Sequence, residues 1–291
     1  MTTRRQNVLR FLLTPGALWL LLFFIIPAVL VVVYSVLTRR DGGGVIWQFS
    51  LEAYKKLFSP TQGAVINDFA LIFFRSLWWA VLTSAVCLLF GYPLAFFIVL
   101  QPPARRNTYL FLVLIPFWTN FLVRTYAWKF ILNNNGLLNI VLEALKLPKV
   151  SIINTTTAVL IGLVYGNLPF MVLPLYASIE KLDFTLIEAA QDLGANYWRV
   201  LTRVVLPVTL PGIIAGSILV FIPVTGQYIV PAILGGGKVA MLGTLLAQQF
   251  GAALNWPFGS AVSVIFMLVL TAGVVFYLRS EARREDEEAT V

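Results

Sequence analysis

The segment Glu188-Ala189-Ala190-Gln191-Asp192-Leu193-Gly194, followed by Leu206-Pro207, is a polar island in a chain that otherwise reads as membrane. Its residue types suit gripping rather than bond-breaking. Thr185 and Glu188 have the spacing of a capping box, in which Thr185 caps the Glu188 amide and Glu188 bonds back to the Thr185 amide. Leu186, Ala189, Ala190 and Leu193 fall on one small apolar face, and Gly194 supplies the left-handed residue that ends many helices. The result is a helix of two turns, about 12 Å long. Asn196 then caps a second helix from Tyr197, which Pro207 and Pro211 interrupt. A two-turn helix is not stable alone in water, so neighbours must hold it. Two readings fit: an amphipathic connector on the membrane surface, or a knob that another protein grips.

Covalent chemistry is poorly provided for. The chain has no histidine, which removes imidazole metal ligands, Ser-His pairs and imidazole proton relays. Its single cysteine, Cys87, falls inside an apolar run, so internal disulfides and cysteine-cluster metal sites are excluded. Gly235-Gly236-Gly237-Lys238 faintly resembles a phosphate loop, but Ala232 stands where the first glycine is required and Val239 follows the lysine. A flexible turn explains those glycines better. The expectation is a chain that is not an enzyme, with no ATPase site, no metal and no bound cofactor.

The elements that position the polar island come from composition. The 291 residues are 59% hydrophobic and 12% charged, with a mean hydropathy of +0.86, whereas a soluble domain carries roughly 25% charged residues. Five charge-free apolar runs reach the length of a bilayer helix, and a sixth, from Asn107 to Val123, is shorter but continues through Arg124 to Trp128, giving six spans. They are predicted near Gly16 to Thr38, Ala70 to Leu100, Thr108 to Leu132, Thr155 to Ser178, Thr209 to Leu234 and Phe258 to Leu278. The architecture is therefore all-α integral membrane, with a transmembrane domain over 16–279. It is flanked by an N-terminal segment, 1–15, and a charged tail, 280–291, whose Arg283 to Glu288 tract reads as solvated. Arg4, Arg5 and Arg10 precede an apolar run too long for a secretory signal and lacking its cleavage site, so the first helix is expected to be retained. An even number of spans puts both termini on one side. Lys and Arg divide almost equally between the two sides, leaving the positive-inside rule nearly silent.

Glu188-Ala189-Ala190, Gly194, Val204 and Leu206-Pro207 match the EAA loop signature, with Val204 in the isoleucine position. The chain thus resembles the permease subunit of bacterial binding-protein-dependent ATP-binding-cassette importers. This resemblance implies a type I importer fold with six spans, in which Glu188, Ala189, Ala190, Asp192, Leu193, Gly194, Leu206 and Pro207 belong to a cytoplasmic coupling loop over 179–208. It implies cytoplasmic termini and a bacterial inner-membrane location. The implied partners are two cytoplasmic ATPase subunits, which carry ATP and Mg, an extracytoplasmic solute-binding protein, and a second permease chain, expected to be homologous but different. Membrane lipid is the remaining partner and nucleic acid is not one.

Pro116-Phe117-Trp118-Thr119-Asn120, Leu168-Pro169-Phe170-Met171-Val172, Ser178-Ile179-Glu180-Lys181-Leu182-Asp183 and Asn255-Trp256-Pro257-Phe258 look like the first permease of spermidine/putrescine importers. Close relatives of that family carry amino-acid derivatives, opines or phosphonates. An ion-coupled secondary transporter is the alternative from another class, but it usually needs a buried carboxylate and matching broken segments in both halves, and neither is seen.

For the pathway, Pro169, Pro174, Pro223 and Pro231 deny helical donors to the carbonyls four residues earlier, and such carbonyls need protein, water or cargo as partners. Trp118, Asn120, Tyr165, Asn167, Pro223, Gln227 and Tyr228 are the candidate pathway and gate residues, the aromatic ones through cation–π contact. Packing is the competing explanation, since Gly162/Gly166 and Gly212/Gly216 have small-xxx-small spacing. Tyr126, Trp128 and Trp256 read as interfacial belt residues. Arg124, about 26 Å along a helix from Asn107, is expected to snorkel to the far interface. No Asp or Glu falls in any predicted span and the net charge is +8, which sits uneasily with a polycationic cargo.

Overall fold

The structure, a computed structural model, describes residues 13–59 and 68–288. Arg4, Arg5, Arg10 and the last residues of the tail lie outside the described residues. The chain divides into two compact units, Met1–Leu71 with Leu245–Val291, and Ile72–Thr244.

In the first unit, α1 (Leu13–Ser35) contains a π-helical turn at Leu21–Ile25. It packs on α12 (Trp256–Glu288), with Tyr34 stacked on Trp256 at 6.1 Å. The apolar run was expected to stay helical to Thr38. Instead, the helix ends at Ser35, whose hydroxyl bonds back to the Val32 carbonyl at 2.6 Å. An antiparallel hairpin of β1 (Leu37–Arg39) and β2 (Val45–Phe49) follows, an addition to an otherwise helical chain. Its turn is possible because Gly42, Gly43 and Gly44 all take positive φ. The short helix α2 (Glu52–Phe58) packs on α12. The α12 backbone stays helical through the tract predicted as a solvated tail.

The second unit centres on α7 (Thr156–Ile179), the most buried of the spans. Leu163, Met171, Val172, Leu175 and Ile179 are fully buried along it. Most of α3 (Asp68–Val99) lies in this unit. With 32 residues it is about 48 Å long, more than the roughly 30 Å of a bilayer core. The third predicted span is broken: α4 (Pro103–Trp118) and α5 (Phe121–Leu132) meet at an 89° bend, and α6 (Leu137–Ala144) continues beyond α5. Thr119 and Asn120 are extended at the break, where their side chains compete with the backbone for its hydrogen bonds.

The polar helix α8 (Thr185–Asp192) precedes α9 (Tyr197–Thr225). Pro207 and Pro211 do not interrupt α9, contrary to expectation. A π-helical turn at Leu201–Val205 widens the helix, the Leu206 amide bonding to the Leu201 carbonyl, so that Pro207 is admitted without a break. The predicted fifth span also stops early, at Thr225, and α10 (Ile229–Leu234) forms a separate helix. Next, α11 (Leu242–Phe250) starts with its Leu242 amide donated to the Ser76 hydroxyl of α3 at 2.7 Å. The Gly235–Gly237 turn is close-packed rather than loose, since a Cβ at Gly236 would lie 2.7 Å from the Asn154 side chain.

The small-residue spacings are packing devices. A Cβ on Gly212 would approach Ser178 Cβ to 2.4 Å and the Pro174 carbonyl to 2.7 Å, and one on Gly216 would reach Met171 Sδ at 2.8 Å. They bring α9 onto α7, and Gly162 of α7 does the same for α10 through Val230 and Leu234. Gly212→Val is therefore expected to cost about 1–3 kcal/mol by overpacking, read as a lower thermal midpoint of the detergent-purified chain. Gly273→Ala, inside α12 and with nothing within 4 Å of the added Cβ, should not lower that midpoint, since alanine is the better helix former.

Candidate coupling loop and substrate pathway

The loop after α7 is held from inside by a compact apolar cluster. Leu182, Val200 and Val205 are buried, with Tyr92 and Phe96 of α3 and with Ile187, Ala190, Ala195 and Leu201 packed against them. Phe96 meets Phe184 edge-on at 6.3 Å, and the Tyr92 and Thr209 hydroxyls hydrogen-bond at 2.9 Å. Glu180 accepts from the Tyr176 hydroxyl at 2.5 Å and pairs with Arg106 at 3.4 Å, tying the α3–α4 turn to the end of α7. That ion pair is partly exposed and adds little energy.

The start of α8 differs from the predicted capping box. Thr185 is the first helical residue, and its amide donates to Asp183 Oδ1 at 3.0 Å. The Glu188 amide bonds to the Phe184 carbonyl instead. An Asx-type turn has replaced the box because Asp183 reaches the free amide with a shorter side chain. The exit agrees with expectation: Gly194 has φ +80, its amide bonds to the Gln191 carbonyl, and the Ala195 amide bonds to the Ala190 carbonyl, which together form a Schellman ending. Asn196 Oδ1 accepts from the Arg199 amide at 2.9 Å and caps α9.

The single apolar face predicted for α8 is divided between two surroundings. Ile187 and Ala190 face the inner cluster, while Leu186, Ala189 and Leu193 are exposed together with Glu188, Asp192 and Gly194. Leu193 is 89% exposed, and Tyr197 and Trp198 beside it are also largely bare. Of the last two predicted loop residues, Leu206 is half-buried and Pro207 exposed in the first turns of α9. The loop thus presents an apolar, acid-edged ridge on a firmly seated base.

The pathway candidates fall into two groups. At the α4–α5 elbow, Asn120 is a helix cap, its Oδ1 accepting from the Leu122 and Val123 amides at 2.9 and 3.5 Å. Trp118 is 75% exposed and meets Phe111 edge-on. Tyr165 of α7 packs edge-on against Trp128 at 5.2 Å. Trp128 is therefore half-buried, packed against a ring of α7. Asn167 is buried, with Nδ2 donating to the Leu163 carbonyl of its own helix at 2.7 Å.

Arg124 departs most from expectation. It does not snorkel: it is buried, with Nη1 donating to the Pro116 carbonyl at 2.8 Å and the guanidinium carbon 5.6, 5.5 and 5.8 Å from the ring centres of Phe117, Phe121 and Tyr165. Phe121 and Arg124 share the first turns of α5, spaced i and i+3, whereas Phe117 and Tyr165 join them only through the bend and the packing of α7, which no sequence spacing shows.

The second group stands at the α9–α10 break. Thr225 Oγ1 donates to the Phe221 and Ile222 carbonyls, and Gln227 Oε1 accepts from the Tyr228 amide at 3.2 Å. Pro223 and Tyr228 are exposed. A Cβ on Gly243 would lie 2.2 Å from the Gly226 carbonyl, so the break is pressed against the start of α11.

Residues 87–285 match the model of the family described as binding-protein-dependent transport system inner membrane component. The chain belongs to that family. This permease is 43% identical over 264 residues to the spermidine/putrescine transport system permease protein PotB of Haemophilus influenzae, covering 90% of each chain. It is 40% identical to PotB of Escherichia coli over 265 residues, covering 90% of this chain and 94% of that one. In fold it is similar to a chain of a bacterial alginate ABC transporter solved with an alginate-bound periplasmic protein, with a TM-score of 0.70 at 18% identity over 94% and 93% of the two chains. The permease is thus a multi-pass inner-membrane protein of the importer family and is not itself an ATPase.

Asp183 offers a local test of how α8 is built. The Thr185 amide, and secondarily the Thr185 hydroxyl, hold its carboxyl below the usual carboxylate range. A depressed folded pKa means that the cap's stabilisation is present at neutral pH and lost as pH falls through that lowered value. Amide exchange across α8 should accelerate on acidification relative to Asp183→Asn, measured by hydrogen-exchange mass spectrometry at matched intrinsic rates. Equal protection of both chains across that range would remove the carboxylate from this role.

Proposed function

We propose that this permease and a second, homologous chain form the membrane pathway of an ATP-driven importer for a polyamine such as spermidine or putrescine. The ridge of α8 seats in a groove of a cytoplasmic ATPase, a helix-in-groove contact anchored by Leu186, Ala189 and Leu193 and flanked by Glu188 and Asp192. ATP and Mg belong to the two ATPase subunits, and this chain binds no cofactor. An extracytoplasmic binding protein delivers the cargo, and both termini lie in the cytoplasm. The observation that carries the reading is the division of α8, with one side locked to α3 and α9 and the other bare and apolar, in a chain closely similar to spermidine/putrescine permeases.

Closure of the paired ATPases would push the two coupling helices together. Because Ile187 and Ala190 bear on the cluster around Tyr92, Phe96 and Val200, that motion would pass into the ends of α3, α7 and α9 and rock one permease against the other. Trp118, Asn120, Tyr165 and Asn167 near the elbow, and Pro223, Gln227 and Tyr228 at the α9–α10 break, would line or gate the route.

A second cargo reading has one specific observation in its favour. Between Asp68 and Glu180 the only carboxylate in the sequence is Glu143, which is paired with Lys149 at 3.1 Å, while Arg124 is buried. A less cationic solute, such as an opine, another amino-acid derivative or a phosphonate, would find no repulsive charge to balance. Cargo-stimulated ATP hydrolysis by the importer reconstituted with its operon partners, compared across spermidine, putrescine, opines and phosphonates, separates these readings. Stimulation only by anionic solutes would exclude the polyamine. Glu188→Lys should abolish ATPase association or stimulation while the chain still inserts in the membrane, and unchanged uptake by that variant would remove the coupling role of α8.

A further inference from the structure

The geometry points to a cation site at the α4–α5 elbow, built from Phe117, Phe121, Tyr165 and the Pro116 carbonyl, whose resident occupant is the chain's own Arg124 and whose exchange partner is an ammonium group of the cargo. This inference rests on the polyamine reading above.

Three ring faces lie within 6 Å of the guanidinium carbon, the distance range in which a ring quadrupole attracts a cation. The rings are braced from behind: Phe117 meets Phe170 edge-on at 5.0 Å, and Tyr165 meets Trp128 at 5.2 Å. The Pro116 carbonyl adds an acceptor, shared between the Thr119 hydroxyl at 2.7 Å and Arg124 Nη1 at 2.8 Å. Rings plus a carbonyl oxygen are what an alkylammonium group also requires, one part for its charge and one for its N–H donors.

Arg124 has no ion-pair partner among the described residues, although a guanidinium cannot shed its charge by deprotonation. It is buried, so the rings and one carbonyl are its described compensation. A second cation cannot share this space, because two like charges at contact repel strongly in a medium of low dielectric. Cargo and Arg124 therefore compete for one cage. The side chain is long and unbranched, so it can swing out while its backbone stays in α5. In the resting chain the tethered cation keeps inorganic and lipid cations out of the cage. An arriving polyamine displaces it, and its return assists release.

The wild-type protein supplies the first test. In the complete importer, phenylglyoxal modification of Arg124, followed by mass spectrometry, should accelerate when saturating spermidine is added, because the displaced guanidinium becomes accessible. Slower or unchanged modification overturns the proposal. The second test measures equilibrium binding of radiolabelled spermidine to the purified importer without its binding protein. Arg124→Gln, whose amide can still donate to Pro116, should bind about tenfold more tightly than wild type, the scale of one desolvated cation–π contact. Phe121→Leu in that background should erase the gain, with ATPase co-purification confirming assembly. A purely structural Arg124 predicts no gain in Arg124→Gln. Uptake by the wild-type importer is read separately. If it imports spermidine while these measurements fail, the cage inference falls and the proposed function stands. If it imports only anionic solutes, both fall.

Discussion

A carbonyl that loses its helical N–H in an apolar medium must find another donor, because the medium offers none. This requirement governs where the permease can depart from helix. At the elbow between α4 and α5, the Pro116 carbonyl takes the Thr119 hydroxyl and the Arg124 guanidinium, while Asn120 covers the exposed amides of the next helix. At the end of α9, the Thr225 hydroxyl takes two carbonyls and the Gln227 amide oxygen takes the Tyr228 N–H. Each break is therefore a defined joint rather than a loose hinge.

Helix α7 is the surface on which these joints bear. Tyr165 faces the elbow, Gly162 receives α10, and Met171 through Ser178 receive the glycine face of α9. Beyond Ile179 the same chain enters the loop that carries α8, whose inner cluster also includes Tyr92 and Phe96 of α3. Force applied to α8 therefore meets buried side chains directly. Such interiors are close-packed and transmit displacement instead of absorbing it. The bare ridge and the two joints are connected by packed helices, with no long flexible segment between α7 and α8.

The sequence made the spans, the short polar helix α8, the left-handed Gly194 and the Asn196 cap legible because each depends on local composition or on one residue's conformational habit. It misled wherever tertiary contacts chose between local alternatives. Asp183 displaced Thr185 as the group that meets the first free amide of α8. Pro207 was read as a break, but a π-helical turn lets α9 run through it. Arg124 was assigned to the interface by counting residues along a straight helix, and the 89° bend invalidates that count. Nor could composition show that Tyr165 stands opposite Trp128.

Between Asp68 and Glu180 the sequence has a single carboxylate, Glu143, and such scarcity would suit the proposed route, which cargo must leave as well as enter. At 4 Å, a carboxylate and an ammonium attract by about 4 kcal/mol in a medium of effective dielectric near 20, and a polycation would multiply that hold. A ring face contributes up to about 2 kcal/mol when desolvated, and a carbonyl adds orientation without net charge. A cage of rings with one carbonyl therefore recognises an ammonium weakly and in a defined place. In the proposed importer, tight capture could then be left to the extracytoplasmic binding protein, while the membrane route would only have to pass cargo on. The same reasoning would account for a buried arginine with no carboxylate partner among the described residues: a counterion fixed beside it would make the proposed cage a permanent ion pair, and its cation could no longer be exchanged.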